Sequence, residues 1–475
     1  MSLKLYSDYP RPATNRSKEL DPGNVRFNHG ISGSQEVPAK PSSVSPPALL
    51  SKPFPEDYMS SKQAYELLHR ELTQDSKPQF NLATFGTTYM EPEVEKLITE
   101  SLPKNFIDPR AYPATANIER KCLQILANMY HLPTKDPRDI AGASTIGSSE
   151  AIMMAVLAMK SNWIKRQEAS SSDKSGRPNL IISSVAQVCW KKAARYFDVD
   201  LQYVPCSEDR YVLDPVKAVD LVNERTMGIC CILSGTTYTG EYEDVKKVNT
   251  LLIQRGLDIP IHVDSASGGF VAPFVVPDCE WDFRLEKVVS INVSGHKYGH
   301  VYPGIGWALW RSVDYLPKDL VFHLSYLGTP QASFTLNFSR GSSHVIAQYY
   351  QFIRLGNAGY THILTEIIKV SRHLTAALQD QGFLILSRKS GTQGIPLVAF
   401  QLDPARKHNF NEFALSDELE KRGWLVPAYH MAEGARHIKL LRVVCRRDFS
   451  MALCERFVRD VRGSVRKLER RKSVN

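Results

Sequence analysis

The sequence predicts an α/β protein in which a mostly parallel sheet flanked by helices forms a large domain, followed by a smaller α+β C-terminal domain. The main observation is that apolar, β-branched runs of strand length alternate with helical patterns between residues 147 and 293. Such alternation is typical of parallel strands joined by crossover helices. A second observation is that strand patterns recur among helices after residue 380. The length of 475 residues is sufficient to bury a large core.

The predicted elements divide the chain into three parts. Residues 1–79 form an N-terminal arm, partly disordered because nine of the 28 prolines fall in its first 55 residues, and a short amphipathic helix at 60–72 suited to lie on a neighbouring subunit. The large domain spans 80–360 and the small domain, with a basic tail, spans 361–475. The large domain is predicted to have helices at 92–102, 149–166, 190–197, from 214 and at 242–255, and strands at 180–184, 201–204, 227–233, 259–264 and 288–293. The small domain is entered through a helix ending near 354 and another at 363–379, and its strands are predicted at 383–386, 397–402 and 439–444.

The net charge of +9 does not indicate a nucleic-acid partner. From Arg436 to the end there are thirteen Lys or Arg against four Asp or Glu, a surplus of nine that accounts for the whole net charge. A basic end without interleaved aromatic residues is typical of a solvated face. The tail is therefore expected to be dispensable for catalysis.

The sequence also argues against a membrane partner, export and a metal site. It has no run of 18 apolar residues, and its start, MSLKLYSDYPRP, lacks the apolar core of a signal peptide. Its eight cysteines show no metal-ligand spacing, and Cys230 and Cys231 are adjacent in an apolar strand. Reduced, buried thiols predict a cytoplasmic protein.

Lys297 is the most unusual residue of the sequence, because it ends an apolar run where a loop should begin. Residues 291–298 read INVSGHKY, so an apolar strand runs into Ser294, Gly295 and His296 and then the lysine. Loops at the ends of buried parallel strands build active sites in α/β folds. A buried ammonium is costly unless it is paired or used covalently, for example in a Schiff base with an aldehyde cofactor such as pyridoxal phosphate (PLP). The alternative is an ordinary surface lysine.

Two upstream motifs offer the other groups that this cofactor needs. Residues 261–270, IHVDSASGGF, form an apolar strand that ends in Asp264. An anion there would keep a pyridine nitrogen protonated, and the protonated ring withdraws electrons from a bound substrate. The alternative is that Asp264 caps the next segment. Gly147, Ser148 and Ser149 open a long helical pattern, and such a helix start is suited to bind phosphate. The order of phosphate cradle, aspartate and lysine is what a fold-type-I PLP enzyme requires.

Residues 81–449 resemble the glutamate decarboxylases of bacteria, plants and fungi. The motifs that carry this resemblance are NLATF, NFIDPRAYP, GSSEA, QVCW, TYTGEYE, HVDSASGGF, SGHKYG and VCRRDF. The resemblance implies a fold-type-I PLP-dependent transferase-like fold, PLP as cofactor and a homodimer or dimer-based higher oligomer. It also implies α-decarboxylation of L-glutamate to 4-aminobutanoate and CO₂. The alternatives are a PLP-dependent decarboxylase of another acidic or aromatic amino acid, and a non-catalytic scaffold protein with this fold.

The resemblance also assigns site residues. Lys297 and Asp264 are the catalytic pair, and Arg442 grips the α-carboxylate of the substrate. Cofactor contacts are assigned to Ser148, Ser149, Gln187, Thr237, Asp264, Ser294, His296, Lys297 and Ser339. Substrate contacts are assigned to Thr84, Phe85, Asn105, Asp108 and Arg442. Gln187 is expected over the pyridine ring, and Ser339 at the phosphate of a neighbouring subunit. By themselves, Asn105 and Asp108 also fit ordinary turns, and Arg442 a surface arginine.

The chain departs from these relatives at its end and beside one motif. Lys191 follows QVCW where bacterial relatives carry His and plant relatives Glu, so no role is assigned to it. The end, RKLERRKSVN, lacks the His-Thr terminus by which bacterial forms are inactivated at low pH. It also lacks the Trp-bearing calmodulin segment of plant forms, so calmodulin binding is not expected.

Overall fold

The computed structural model describes residues 58–134, 136–169, 176–233, 237–324, 331–388 and 393–470. The predicted arm before residue 58 lies outside the described residues, as do residues 170–175. Residues 58–78 belong to one compact unit, and the described residues from Gln79 onward belong to another. The first unit contains helix α1 (Ser61–Leu72), which begins with a capping box between Ser60 and Gln63.

A seven-stranded sheet is the centre of the second unit, as far as the structure describes it. Its order is β1-β7-β6-β5-β4-β2-β3. The strands are β1 (Ala141–Thr145), β2 (Asn179–Ser183), β3 (Asp200–Val204), β4 (Thr226–Ile232), β5 (Ile261–Asp264), β6 (Val288–Val293) and β7 (Gly306–Trp310). Strands β3, β2, β4, β5 and β6 pair in parallel, whereas β7 is antiparallel to both β6 and β1. The mostly parallel sheet is confirmed.

Helices cover this sheet because its strands are apolar on both faces. Strand β4 reads TMGICCI and β6 reads VVSINV, and every residue of both is buried. Continuous apolar runs of this kind are typical of parallel strands that lie between two helical layers. The helices of this part are α2 (Pro92–Ser101), α3 (Pro113–Met129), α4 (Ser148–Ala169), α5 (Val188–Tyr196), α6 (Pro215–Asp220), α7 (Val245–Gln254) and α8 (Ala272–Val275). Helix α4 continues to Ala169, three residues beyond its predicted end at 166.

The C-terminal part is built on an antiparallel sheet of order β10-β11-β13-β12. Its strands are β10 (Phe383–Ile385), β11 (Leu397–Leu402), β12 (Ala428–His430) and β13 (Lys439–Val444), and a short hairpin of β8 (Phe322–Leu324) and β9 (Gln331–Ser333) precedes it. Its helices are α9 (Ser343–Asp380), α10 (Glu412–Glu420) and α11 (Met451–Arg470). Helix α9 is broken at Gly356, whose φ of 54° favours glycine, so the two predicted helices are present. The domain boundary at 360/361 stays a prediction.

Helix α11 changes the interpretation of the basic tail. One of its faces is buried through Cys454, Phe457, Val461 and Leu468, and Lys467 pairs with Glu418. The solvated tail predicted from charge is therefore, up to Arg470, an amphipathic helix that contributes to the core. No helix in the described part of the chain is long and apolar enough to cross a membrane.

Candidate active site

Lys297 lies in the turn that follows β6, at the carboxyl ends of the parallel strands. Its carbonyl accepts a hydrogen bond of 2.8 Å from Thr87 Oγ1, and its amide N–H donates to Ser294 O at 3.3 Å. Its Nζ is 5.2 Å from the ring centroid of Phe85. Burial lowers the pKa of this amine below its ordinary value, although Asp264 opposes the shift. A lysine held in this way is more readily neutral, as a nucleophilic amine must be.

Asp264 ends β5 and is buried, with an exposed fraction of only 3%. Its Oδ2 accepts a hydrogen bond of 2.9 Å from Trp190 Nε1. Its Oδ1 accepts 3.1 Å bonds from Asn292 Nδ2 and from the backbone N–H of Ala266. Three donors suit a carboxylate anion, which can only accept hydrogen bonds. The sequence analysis assigned no site role to Trp190 or Asn292, although Trp190 ends the QVCW motif and could have been found there.

The predicted phosphate cradle lies where α4 begins. Ser148 Oγ is 2.7 Å from Ser294 Oγ, and both side chains are buried, whereas Ser149 is exposed. Gly147 has a φ of 156°, and a Cβ added there would be 3.0 Å from His296 Cε1. Helix N-termini with hydroxyls beside them bind phosphate groups. The structure thus brings Ser148, Ser294 and His296 together at the start of α4.

His296 gives an independent test of whether a phosphate-bearing cofactor fits. Its Nδ1 is buried and has no hydrogen-bond partner among the described residues. Burial, and secondarily the neighbouring Lys297, lower the pKa of His296 to about 4. A buried ring nitrogen without a partner is rare in proteins. A phosphate oxygen beside the start of α4 would supply a partner, so the residues present fit PLP.

Arg442, on β13, reaches the same region from the C-terminal sheet. Its Nη2 donates to Ala83 O at 2.7 Å and its Nη1 donates to Thr237 O, while its Nε is buried without a partner among the described residues. The guanidinium carbon is 5.1 Å from the Phe85 ring centroid. Phe85 thus contacts both Arg442, which is predicted to bind the substrate, and Lys297, which is predicted to bind the cofactor.

Three further predicted residues have mainly local contacts. Thr84 Oγ1 accepts the Gly86 N–H at 3.2 Å, next to Phe85. Gln187 is exposed at the N-terminus of α5, where its Oε1 accepts the Cys189 N–H at 2.6 Å. Thr237 is half-buried, and its carbonyl receives Arg442. The contacts of these three residues with cofactor or substrate stay predictions.

A second group of predicted residues makes its described hydrogen bonds outside the first group. Asn105 Nδ2 donates to Ser339 Oγ at 3.1 Å, and Asn105 Oδ1 accepts the Arg340 N–H at 3.1 Å. Asp108 Oδ1 accepts the backbone N–H groups of residues 110 and 111, as in a turn. Asn105 and Ser339 are exposed. Among the described residues, no hydrogen bond or ion pair joins this group to Lys297 or Arg442.

The comparisons with known proteins identify the family of this chain. Residues 45–403 match the model of the pyridoxal-dependent decarboxylase conserved domain, and the chain belongs to this family. Glutamate decarboxylase of Petunia hybrida is 48% identical over 421 residues, which cover 88% of this chain and 83% of the relative. Glutamate decarboxylase beta of Listeria monocytogenes is 43% identical over 410 residues, covering 85% and 87%.

Solved structures give the same result at the level of the fold. The glutamate decarboxylase of Lactobacillus brevis superposes with a TM-score of 0.85 at 40% identity and covers 89% of this chain and 96% of its own. Rice TDC with PLP and tryptamine, at 17% identity and a TM-score of 0.75 over 90% and 92% of the two chains, shares the fold. The predicted fold-type-I architecture, the PLP cofactor and the resemblance to glutamate decarboxylases are confirmed.

Proposed function

We propose that this chain decarboxylates L-glutamate to 4-aminobutanoate and CO₂ with PLP. The observation that carries the proposal is the group of Lys297, Asp264, Phe85 and Arg442, in which Asp264 is buried and Phe85 and Arg442 are half-buried. It combines an amine of lowered pKa, an anion held by three donors and a guanidinium with a free N–H. The identity of 40% or more to several glutamate decarboxylases supports glutamate as the substrate.

The residues that would hold PLP come from three strand ends. Lys297 would bind its aldehyde, Asp264 would face its ring nitrogen, and the start of α4 with His296 would bind its phosphate. Further contacts are assigned to Ser149, Gln187, Thr237, Ser294 and Ser339. When bound, the cofactor supplies an electron sink for the pair of electrons that the departing carboxylate leaves behind.

The protein's own part in the reaction is to orient the substrate and to move one proton. Arg442 binds the α-carboxylate, because its Nε–H is unpaired in a buried position and a guanidinium carries a permanent charge. Asp264 stays anionic through its three donors. The Nζ of Lys297, freed of its covalent partner, donates a proton to the Cα that lost the carboxylate. The Phe85 ring lies against both Lys297 and Arg442.

Glutamate recognition is assigned to Thr84, Asn105 and Asp108. A hydrophobic pocket distinguishes one methylene by only about 1–3 kcal/mol, whereas a pocket built for a distal polar group rejects analogues more strongly. Thr84 and Asn105 donate hydrogen bonds to the γ-carboxylate. Asp108 accepts one only when it or the substrate carboxyl carries a proton, since two bare carboxylates in contact repel each other.

A homodimer or dimer-based oligomer is part of the proposal. Asn105 and Ser339 are exposed and make no described contact to Lys297, so we infer that they serve the site of a second copy. Helix α1 supports association, because Tyr65, Leu68 and Leu72 expose more than half of their surface. Location in the cytoplasm is supported by the eight free cysteines.

The test combines cofactor spectroscopy with product identification. The purified protein should show the absorbance band of lysine-bound cofactor. It should release CO₂ from glutamate faster than from aspartate, cysteine sulfinate or an aromatic amino acid. A protein that binds PLP but prefers an aromatic amino acid would contradict the substrate assignment. A protein without the band would contradict the function as a whole.

A further inference from the structure

His262 is a buried histidine beside the proposed site that the mechanism above does not use. It lies two residues before Asp264 on β5, so both side chains point to the same face of the sheet. Strand β6 pairs in parallel with β5 and sets Ser290 opposite His262 and Asn292 opposite Asp264. Two pairs of polar residues thus lie side by side on the neighbouring strands β5 and β6.

A chain of hydrogen bonds connects these four side chains. Ser290 Oγ is 2.7 Å from His262 Nδ1, and His262 Nε2 is 2.7 Å from Asn292 Oδ1. Asn292 Nδ2 then donates to Asp264 Oδ1 at 3.1 Å. The exposed fraction of each of the four side chains is 3% or less. Water cannot replace a lost partner easily at this depth, so each bond matters more than at the surface.

The donor and acceptor roles in this chain are fixed from its carboxylate end. Asp264 as an anion only accepts, so Asn292 must present its amide N–H₂ to Asp264 and its oxygen to His262. An amide oxygen also only accepts, so His262 Nε2 must carry a hydrogen. Nδ1 of a neutral imidazole is then an acceptor, and the Ser290 hydroxyl donates to it. Burial lowers the pKa of His262 and keeps the ring neutral, in agreement with these roles.

We propose that His262 is a positioning residue, which acts through Asn292 to keep Asp264 ionised opposite the cofactor's ring nitrogen. This inference rests on the proposed function only in taking Asp264 as the partner of that nitrogen. His262 donates to the Asn292 oxygen, polarises the amide and strengthens its donation to Asp264 Oδ1. We call the hydrogen bonds from His262 through Asn292 to Asp264 the relay. A carboxylate with weaker donors holds a proton more readily, so loss of the relay moves the proton between Asp264 and the ring nitrogen from the nitrogen to Asp264. The cofactor then withdraws electrons less strongly.

The experiment measures where that proton lies. The apo-protein is reconstituted with PLP carrying ¹⁵N in its ring, and the ¹⁵N chemical shift distinguishes a protonated from a neutral nitrogen. His262→Phe removes both ring nitrogens but keeps a flat side chain. We expect the shift to move toward that of neutral pyridine, and kcat for glutamate to fall about tenfold with little change in KM, as for loss of one hydrogen bond between neutral groups.

Two variants separate this role from packing. His262→Gln keeps an N–H that can donate to Asn292 and should restore both the shift and most of kcat. Cys230→Ala is the matched control, because Cys230 pairs with His262 across β4 and β5 but has no bond in the relay. It should leave the ¹⁵N shift unchanged. Should His262→Phe fail to fold, Asn292→Leu removes the amide N–H₂ that donates to Asp264 and should move the shift in the same direction.

The outcomes are distinct. A folded His262→Phe or Asn292→Leu protein with the parental shift and kcat would overturn the relay and leave His262 as a core residue. A parent protein that binds PLP but does not decarboxylate glutamate would refute the proposed function, while the ¹⁵N shifts would still test the relay.

Discussion

The two groups of predicted site residues differ in how far one chain completes them. The cofactor group around Lys297 and Asp264 is buried and linked by hydrogen bonds within the described chain. The second group, with Asn105 and Ser339, is exposed and bonded mainly within itself. We infer from this difference, as proposed above, that one chain supplies Lys297 and Asp264 to the cofactor, whereas a second copy supplies Asn105 and Ser339 to the same site.

Removal of Lys297 should have the largest effect, and it tests whether this residue attaches the cofactor. Lys297→Ala should abolish the lysine-bound cofactor and lower kcat by at least about a thousandfold, because the covalent attachment and the proton donor are lost together. Borohydride reduction followed by mass spectrometry of the peptides checks the attachment. Lys191→Ala is the matched control, since this lysine has no assigned role. A reducible adduct on another lysine with normal turnover would show that the cofactor group is misassigned.

Asp264→Asn should cause the second largest loss of kcat. The substitution keeps the shape and removes the charge, so cofactor should remain bound while kcat falls by orders of magnitude, each tenfold being about 1.4 kcal/mol of barrier. The introduced amide would also place its own N–H₂ group against an N–H donor of Trp190 or Asn292, where no hydrogen bond can form. Cofactor content by absorbance and kcat by CO₂ release check both parts. Near-parental turnover would exclude Asp264 as the partner of the ring nitrogen.

The dependence on a second copy can be measured by complementation. Asp108→Ala should lower kcat/KM for glutamate roughly ten- to hundredfold, as for loss of a buried hydrogen bond to a charged group, and leave the cofactor spectrum intact. Co-expression of Lys297→Ala and Asp108→Ala chains should restore about one quarter of the parental activity, because half of randomly formed dimers are mixed and each has one intact site.

The control for this experiment comes from the cofactor group itself. Co-expressed Lys297→Ala and Asp264→Asn chains should recover nothing, since the structure places both residues in one chain and every mixed site lacks one of them. Recovery in this pair would show that Lys297 and Asp264 serve one site from different chains. No recovery in the pair with Asp108→Ala would show that Asp108 does not serve the site of a second copy.

The smallest expected effect is on the stability of the apo-protein in acid. The pKa of His296 is about 4 in the folded protein, below the ordinary value of 6.5. Between pH 6.5 and about 4 the unfolded chain therefore binds a proton that the folded chain does not, and the free energy of unfolding falls as the pH falls. His296→Gln should reduce this slope in urea unfolding curves of the apo-protein. An unchanged slope would mean that His296 is not buried as described.

Much of the site could be predicted because its key residues follow recognisable strands. Asp264 and Lys297 end apolar runs, and Ser148 begins a long helix, so local patterns indicated their positions. Strands β4, β5 and β6 differ from their predicted bounds by at most two residues at either end. The resemblance to a known family added Asn105, Asp108 and Arg442, which local patterns alone did not distinguish from turn or surface residues.

The sequence by itself therefore determined the α/β class, the strand ends that carry the reactive groups and the family. Tertiary structure decided that β7 enters the sheet antiparallel between β1 and β6, and that Trp190, Asn292 and His262 surround or support Asp264. It also decided that Asn105 bonds to Ser339 and to the backbone of Arg340. The physical reason is that strand and helix patterns arise from neighbouring residues, whereas sheet order, register and buried hydrogen bonds join residues far apart in the chain, whose proximity depends on how the whole core packs.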